Sequence, residues 1–429
     1  MITTIRSGFD PASADLPQWL AHIEAMHPSE IELGLARVKV VGERLQCLKP
    51  APLVILVGGT NGKGTTSALL AALLRAQGMK TGVYSSPHIH RYNERVMLDG
   101  REVSDAELCA GFRAVEAARA DISLTYFEFG TLAALSWFQQ QQVDACVLEI
   151  GLGGRLDAVN IVDPDISVVT SIGLDHQAWL GDTLEQIAHE KVGIARPGQY
   201  LVCGQPAPPA SAKADALALG ALWVGRDDDF FIDRVEDGLS VRFRQGLGTL
   251  SWRLPPAQIP HHNVVTALQT LALIGCLPAQ DVVAGVVRAL RVPGRLQNFE
   301  RRQADQTLCL TLDVAHNEQA AAYVASRLPA VDGIILGMLG DKDAAAVVRV
   351  LPHSPRLLLV GLDCARGLSA AQLAEKIAGG AGDVQCVADV AAAMAQLPAA
   401  GHWLVCGSFY TVEAAMEVIK QESGLWNSI

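Results

Sequence analysis

The chain has 429 residues, half of them hydrophobic and 18% charged, which excludes a disordered or low-complexity protein and leaves room for two or more domains. A formal net charge of −11 without a basic run argues against a nucleic-acid partner. Nine cysteines without a CxxC pair, no signal pattern at Met1–Arg6 and no apolar stretch near the ~20 residues that span a bilayer predict a soluble, cytoplasmic chain with reduced thiols and no membrane partner.

Leu53–Val57 is a continuous apolar run, the mark of a strand buried in a parallel sheet. Gly-Gly-Thr-Asn-Gly-Lys-Gly-Thr-Thr follows at 58–66 and leads into the helix-forming run Ser67–Arg75. Strand, glycine turn, lysine and helix make a phosphate cradle: backbone N–H groups and the helix dipole face the anion, and Lys63 adds charge. The standard loop has Ser or Thr directly after its lysine to hold magnesium; here Gly64 intervenes before Thr65, so metal ligands must come from elsewhere.

Thr81–Tyr84 reads as a second strand, and Ser86 in the following Ser-Ser-Pro-His run is either the missing magnesium ligand or a turn serine. Ala145–Glu149 is a third strand ending in a carboxylate suited to a hard cation, and Ile166–Ser171 a fourth, followed by Asp175 and His176. All four lead to the carboxyl edge of the sheet, where open α/β sheets bind ligands. His176 alone is more often structural than a ligand, and Lys191, in an amphipathic helix, reads alone as a surface lysine.

Residues 205–258, Pro-rich and then weakly alternating, predict a small antiparallel excursion before a helix at 263–275. Pro293-Gly294 then breaks the pattern, and alternation restarts at Leu308 with strands at Leu308–Asp313, Gly333–Gly337, Arg356–Val360, Val384–Val387 and Trp403–Cys406. Helical runs at 316–327, 369–378 and 390–395 lie between them. Asp313-Val-Ala-His316-Asn317 and Gly337–Asp343, with Asp341-Lys342-Asp343, put polar turns after two of these strands. The expected architecture is α/β: a P-loop-type, mostly parallel domain over 1–292 with the antiparallel excursion, a linker at 293–297, and a smaller Rossmann-like domain over 298–429.

Taken together, these motifs resemble the bacterial dihydrofolate synthase/folylpolyglutamate synthase family, relatives of the Mur ligases. The resemblance runs from Ile31-Glu-Leu-Gly-Leu35 to Cys406-Gly-Ser-Phe409. It includes 59–66, Tyr84–His88, Arg91–Val96, Leu124–Glu128, Glu149–Asn160, Ser171–His176, Pro293–Arg295 and Asp313–Asn317. It implies ATP-dependent amide ligation through an acyl phosphate, with 7,8-dihydropteroate or reduced folates as the acid and L-glutamate as the amine. Matched position by position, it assigns Thr60, Asn61, Gly62, Lys63, Gly64 and Thr65 to the ATP phosphates and Asn263 to adenine. Arg295 and Asp313 would meet phosphates and ribose across an interdomain cleft. Ser86 and Glu149 would bind one magnesium and His176 a second, with Lys191 as a carbamylated ligand. Thr125, Tyr126, Phe127 and Glu128, with Leu156, Asp157 and Ala158, would line the pteroate pocket, and His316 would stand on the glutamate side. Lys63, Lys191 and His316 are the expected catalytic set, in a monomer. His262 departs from many relatives just before Asn263. A monofunctional folylpolyglutamate synthase is the nearest alternative; a Mur-type ligase is disfavoured by Leu124–Glu128.

Overall fold

The structure, a computed structural model, describes residues 9–27, 32–328, 330–377, 383–422 and 424–429. Met1–Arg6, Ile31 at the start of the resembling span and residues 378–382 lie outside the described residues. Contacts divide the chain into two units, Met1–Ile172 with Leu184–Leu290, and Gly173–Thr183 with Arg291–Ile429.

The first unit begins with α1 (Leu16–Met26), α2 (Ala36–Arg44), β1 (Leu53–Gly58), α3 (Lys63–Ala76), β2 (Thr81–Tyr84), β3 (Val96–Leu98), β4 (Arg101–Glu102), α4 (Asp105–Arg119), α5 (Tyr126–Gln140), β5 (Ala145–Glu149) and β6 (Ile166–Val169). The short helix α6 (Gln177–Leu180) belongs to the segment grouped with the second unit. The first unit resumes with α7 (Leu184–Val192), β7 (Tyr200–Cys203), α8 (Ala210–Ala218), β8 (Leu222–Gly225), β9 (Phe231–Val235), β10 (Gly238–Gln245), β11 (Gly248–Leu254), α9 (His261–Leu273) and α10 (Gln280–Ala289).

Eight strands form one sheet in the order β4-β3-β2-β5-β1-β6-β7-β8, parallel from β2 to β8. Val57 pairs with Glu149, Leu148 with Tyr84 and Gly58 with Val169, so the four strands read from sequence are neighbours whose ends share one edge. The expected antiparallel excursion is real but shorter than 205–258. Only β9, β10 and β11 form a separate antiparallel sheet, whereas α8 and β8 extend the parallel sheet. The prolines at 206, 208 and 209 precede α8, which lets the helix start after them.

On the other side of the chain's apolar patterning, α1, α4 and α5 pack through an aromatic cluster of Trp19, Phe112 and Phe129, all fully buried. This cluster anchors α5, whose first turn carries Tyr126, Phe127 and Glu128.

The second unit continues with β12 (Gln297–Gln303), β13 (Gln306–Leu312), α11 (Glu318–Arg327), β14 (Gly333–Leu336), α12 (Ala344–Val350), β15 (Arg356–Val360), α13 (Ala370–Lys376), β16 (Asp383–Val387), α14 (Val390–Met394), β17 (Gly401–Cys406), α15 (Phe409–Gln421) and β18 (Trp426–Ser428). Its sheet order is β16-β15-β14-β17-β13-β12-β18, with β12 antiparallel to both of its neighbours. Trp403 and Val405 enter one apolar cluster, Leu404 and Cys406 the other, so β17 is covered on both faces. The expected strands recur, but β12 has no apolar signature because only Phe299 of its residues is buried.

Phe129→Ala should destabilise the fold by about 3–5 kcal/mol through a cavity under α5. Urea unfolding checks this; a loss below about 1 kcal/mol would contradict the packing role.

Candidate active site

The phosphate loop is fixed before any ligand arrives. Thr60 N–H donates to the Ser171 carbonyl (2.8 Å) and Asn61 N–H to Ser171 Oγ (2.9 Å), while Thr170 Oγ1 donates to the Asn61 carbonyl (2.7 Å). Thr60 and Asn61 therefore bond backward to the end of β6 and set the loop. Gly62 caps α3 at φ +85°, and a Cβ there would lie 2.8 Å from Asn263 Oδ1. Glycine is required by both the left-handed backbone and the close approach of α9. The N–H groups of Gly64 and Thr65 lie in the first turn of α3, where a helix presents donors and its positive dipole end to an anion. Lys63 Nζ folds onto the carbonyls of Gly59 (3.1 Å) and Thr60 (3.4 Å), at the mouth of that turn.

Glu149, at the end of the adjacent strand, is only 4% exposed. Its Oε2 lies 3.5 Å from where a Gly64 Cβ would stand and accepts the Ser86 N–H at 3.3 Å. A Cβ at residue 64 would touch that carboxylate at ordinary contact distance, so the first turn of α3 and the end of β5 are immediate neighbours. The two oxygen-bearing residues expected to bind magnesium are thus side by side at the helix terminus, a donor set that fits a hard cation. Among the described residues, no three His, Cys, Asp or Glu side chains converge on a metal position.

Lys191 is not a surface lysine: it is 3% exposed. The 151–155 loop packs against α7 beside it. Arg155 N–H donates to the Glu190 carbonyl (2.8 Å), its guanidinium pairs with the Glu190 carboxylate (2.7 Å), and a Cβ at Gly154 would stand 2.7 Å from the same carbonyl. The loop leaving Glu149 and the helix bearing Lys191 are consequently tied together.

Of the expected pteroate residues, several shape the site from behind. Thr125 caps α5, and the Glu128 carboxylate accepts the Thr125 N–H (2.7 Å) and a bond from Arg37 (3.0 Å). Sequence reasoning missed Arg37, because its partner is distant in the chain. Asp157 is buried and accepts N–H bonds from Gly151, Leu152 and Val159; burial pushes its carboxyl up to about 6 against those bonds. Leu156 is half-buried, and its carbonyl accepts the Gly34 N–H (3.3 Å); Ala158 is buried at the start of a short 3-10 helix. Phe127 packs on Gly151, and the half-buried Tyr126 ring stands 5.7 Å from the Arg95 guanidinium. Asn263 is 1% exposed, and its Nδ2 has no acceptor among the described residues, a buried donor carried by α9. A buried, unsatisfied amide is costly unless a ligand completes it.

In the second unit, β13, β17 and β14 are neighbours, so the turns after them meet. The Asp313 carboxyl is buried and pushed up by burial, although Arg295 opposes this and the N–H groups of Leu296 and Ala315 bond to it. Arg295 and His316 both face Phe409, at 5.7 and 6.3 Å. His316 Nδ1 bonds the Val314 carbonyl (2.8 Å), and its Nε2 lies 3.5 Å from Asp175. Asp175 also takes Lys342 Nζ (2.6 Å) and Asn317 Nδ2 (3.0 Å). Burial alone would raise the Asp175 carboxyl, but the His316 bond and the charges of His176, His316 and Lys342 hold it well below the usual range. His176 follows with a left-handed backbone, φ +51°. Lys342 was visible in sequence only as part of a polar turn.

The Mur ligase middle domain matches residues 57–203, and the Mur ligase glutamate ligase domain matches residues 294–409. A dihydrofolate synthase/folylpolyglutamate synthase of Escherichia coli K12 is 42% identical over 414 residues, covering 95% of this chain and 96% of that protein. The chain belongs to the dihydrofolate synthase/folylpolyglutamate synthase family. The structure of E. coli FolC in complex with DHPP and ADP superposes with a TM-score of 0.88 at 40% identity, over 96% of this chain and all of that one. A Yersinia pestis bifunctional folylpolyglutamate synthase/dihydrofolate synthase, complexed with AMPPNP and a Mn ion, gives 0.88 at 42%, over 96% of this chain and 100% of its own. Over those spans the α/β architecture is shared with both structures.

His262, beside Asn263, is half-buried: desolvation, then the charges of His261 and Arg226, push its ring down to about 3. A depressed pKa adds stability that is present above about pH 6.5 and lost as pH falls toward 3. His262→Gln should flatten this part of the acid limb, measured by urea midpoints between about pH 7 and pH 4. An unchanged slope would contradict it.

Proposed function

We propose that this chain joins L-glutamate to 7,8-dihydropteroate and adds further glutamates to reduced folates, in the cytoplasm and as a monomer. It is an ATP-dependent amide ligase. The observation that carries the reading is the apposition of Lys63, Gly64, Ser86 and Glu149 at the N-terminus of α3.

A carboxylate resists amines because its charge repels them and oxide is a poor leaving group. Phosphorylation by ATP leaves an acyl phosphate; the glutamate amine then adds to the carbonyl carbon, and phosphate departs as the amide forms. In our assignment the first turn of α3, at Gly62–Thr65, receives the phosphates, with Thr60 and Asn61 setting the loop. Lys63 Nζ leaves its two loop carbonyls for the γ-phosphate, adding positive charge where negative charge shifts during transfer. Ser86 and Glu149 would hold one magnesium, and His176 with carbamylated Lys191 would serve a second. When bound, these ions would neutralise phosphate charge and orient the triphosphate. The neutral amine adds to carbon dioxide, and loss of a proton leaves an anionic carbamate that offers oxygen ligands. Asn263 would complete its buried amide on adenine. Tyr126, Phe127, Leu156 and Ala158 would contact pteroate, with Thr125, Glu128 and Asp157 holding the backbone behind them. Arg295 and Asp313 are assigned to phosphates and ribose, and His316 to glutamate.

The relatives that print both activities in their names favour a bifunctional enzyme over a monofunctional one. Phosphate release should require ATP, dihydropteroate and glutamate together. Tetrahydrofolate should also accept glutamate; turnover with reduced folate alone would leave only the polyglutamate activity. Glu149→Ala and Lys191→Ala should each lower ligation by at least ~10²-fold with unchanged circular dichroism. Native mass spectrometry should find one carbon dioxide on Lys191, and a fully active, unmodified lysine would refute the carbamate.

A further inference from the structure

We propose that Lys342 and Asp175 form a clasp that fixes the Gly173–Thr183 segment, and with it the placement of His176 and His316. Lys342 is thus a positioning residue. What the clasp serves rests on the ligase reading; the clasp itself rests on geometry within the second unit.

The chain leaves β6, spends Gly173–Thr183 among second-unit contacts, and returns to the first unit at Leu184. Apolar burial does little to hold this segment. Leu174 and Trp179 are 49% and 47% exposed, and only Leu180 among its large apolar side chains is buried. Its buried anchor is the Asp175 carboxylate, and both oxygens are engaged. Oδ1 accepts Lys342 Nζ at 2.6 Å and the His176 N–H at 2.9 Å. Oδ2 accepts Asn317 Nδ2 at 3.0 Å and faces His316 Nε2 at 3.5 Å. One carboxylate therefore connects three separate pieces of chain: its own segment, the turn after β13 and the turn after β14.

Each contact does a different job. The bond to the His176 N–H supports a left-handed backbone at a residue with a Cβ, a conformation that needs such support. The Asn317 side chain bonds Asp175 through Nδ2 while its Oδ1 caps α11. His316 is held from both ring nitrogens, by the Val314 carbonyl and by Asp175. Lys342 balances the charge that makes this possible. Its side chain is as deeply buried as that of Asp175, 6% against 8% exposed, and Asp341 lies 3.5 Å from the same ammonium. Without the ammonium, Asp175 would be a buried carboxylate short of its closest cation, and the favourable response is to swing into water with the segment it anchors. Partners that orient a ligand-bearing or substrate-facing group commonly govern activity without touching substrate.

The test is hydrogen–deuterium exchange on the full-length chain without substrates. Lys342→Met should raise exchange across 173–183 while β14 and β17 exchange as in the parent, and Lys342→Arg should restore part of the protection. Asp175→Asn should give the same pattern, which keeps the proposal testable if Lys342→Met fails to fold. In turnover assays Lys342→Met should lower kcat about 10- to 100-fold with the ATP dissociation constant unchanged. The double variant should be no worse than the poorer single one, since both break one contact. Parent-like exchange at 173–183 in both single variants, or losses that multiply in the double variant, would overturn the clasp. Because exchange is read without substrate, a parent chain that ligates nothing would sink the ligase reading while leaving the clasp to stand or fall on its own.

Discussion

The parallel pairing of β1 with β5 places Val57 opposite Glu149, and the site of the first unit follows from that register. One strand runs into the phosphate loop and the other ends in the carboxylate, so the two meet at the first turn of α3 without any long-range adjustment. The pairing of β2 with β5 brings Ser86 to the same place, and β6 clamps the loop from the far side through Ser171. A carboxylate so near a phosphate cradle would repel its ligand unless a cation lay between them. A divalent cation would resolve that conflict, and with Ser86 and Glu149 proposed as its ligands, neighbouring strands would supply what Ser or Thr after the lysine supplies in the standard loop.

A second theme is the use of buried acids as loop organisers. Asp157, Glu128 and Asp313 each spend carboxylate oxygens on backbone N–H groups, and Asp175 gathers a lysine, an asparagine and a histidine. Such carboxylates are costly to bury, and the bonds they accept offset that cost by fixing the turns that carry functional neighbours. Beside each lies a residue assigned to ligand or metal: Ala158, Phe127, Arg295 and His176. The acids shape the turns, and in the proposed assignment the adjacent side chains would meet the ligands.

Much of this was legible in the chain. Continuous apolar runs such as Leu53–Val57 and Ala145–Glu149 marked buried parallel strands, and the glycine-rich turn with its lysine marked the phosphate cradle. Less visible was whatever depends on a distant partner. Lys191 looks like a surface residue on a helix that also carries Glu185, His189 and Glu190, because helical periodicity does not register the 151–155 loop that packs on the same helix. β12 is too polar to announce itself as a strand, since edge-region pairing by backbone bonds needs no apolar alternation. The prolines near 205 suggested an early start to the antiparallel sheet, whereas they precede a helix and one more parallel strand. Nor does sequence order show that Asp175 and His176 keep company with His316 and Lys342.

The central claim is that ATP activates a pteroate carboxylate before glutamate attacks it. The most direct measurement follows heavy-oxygen label placed in the dihydropteroate carboxylate through one turnover with ATP, magnesium and glutamate. An acyl phosphate requires one labelled oxygen to leave with the inorganic phosphate, as the C–O bond breaks when the amide forms. Labelled phosphate appearing in step with the glutamate conjugate is the predicted result; conjugate formed with wholly unlabelled phosphate would contradict the account.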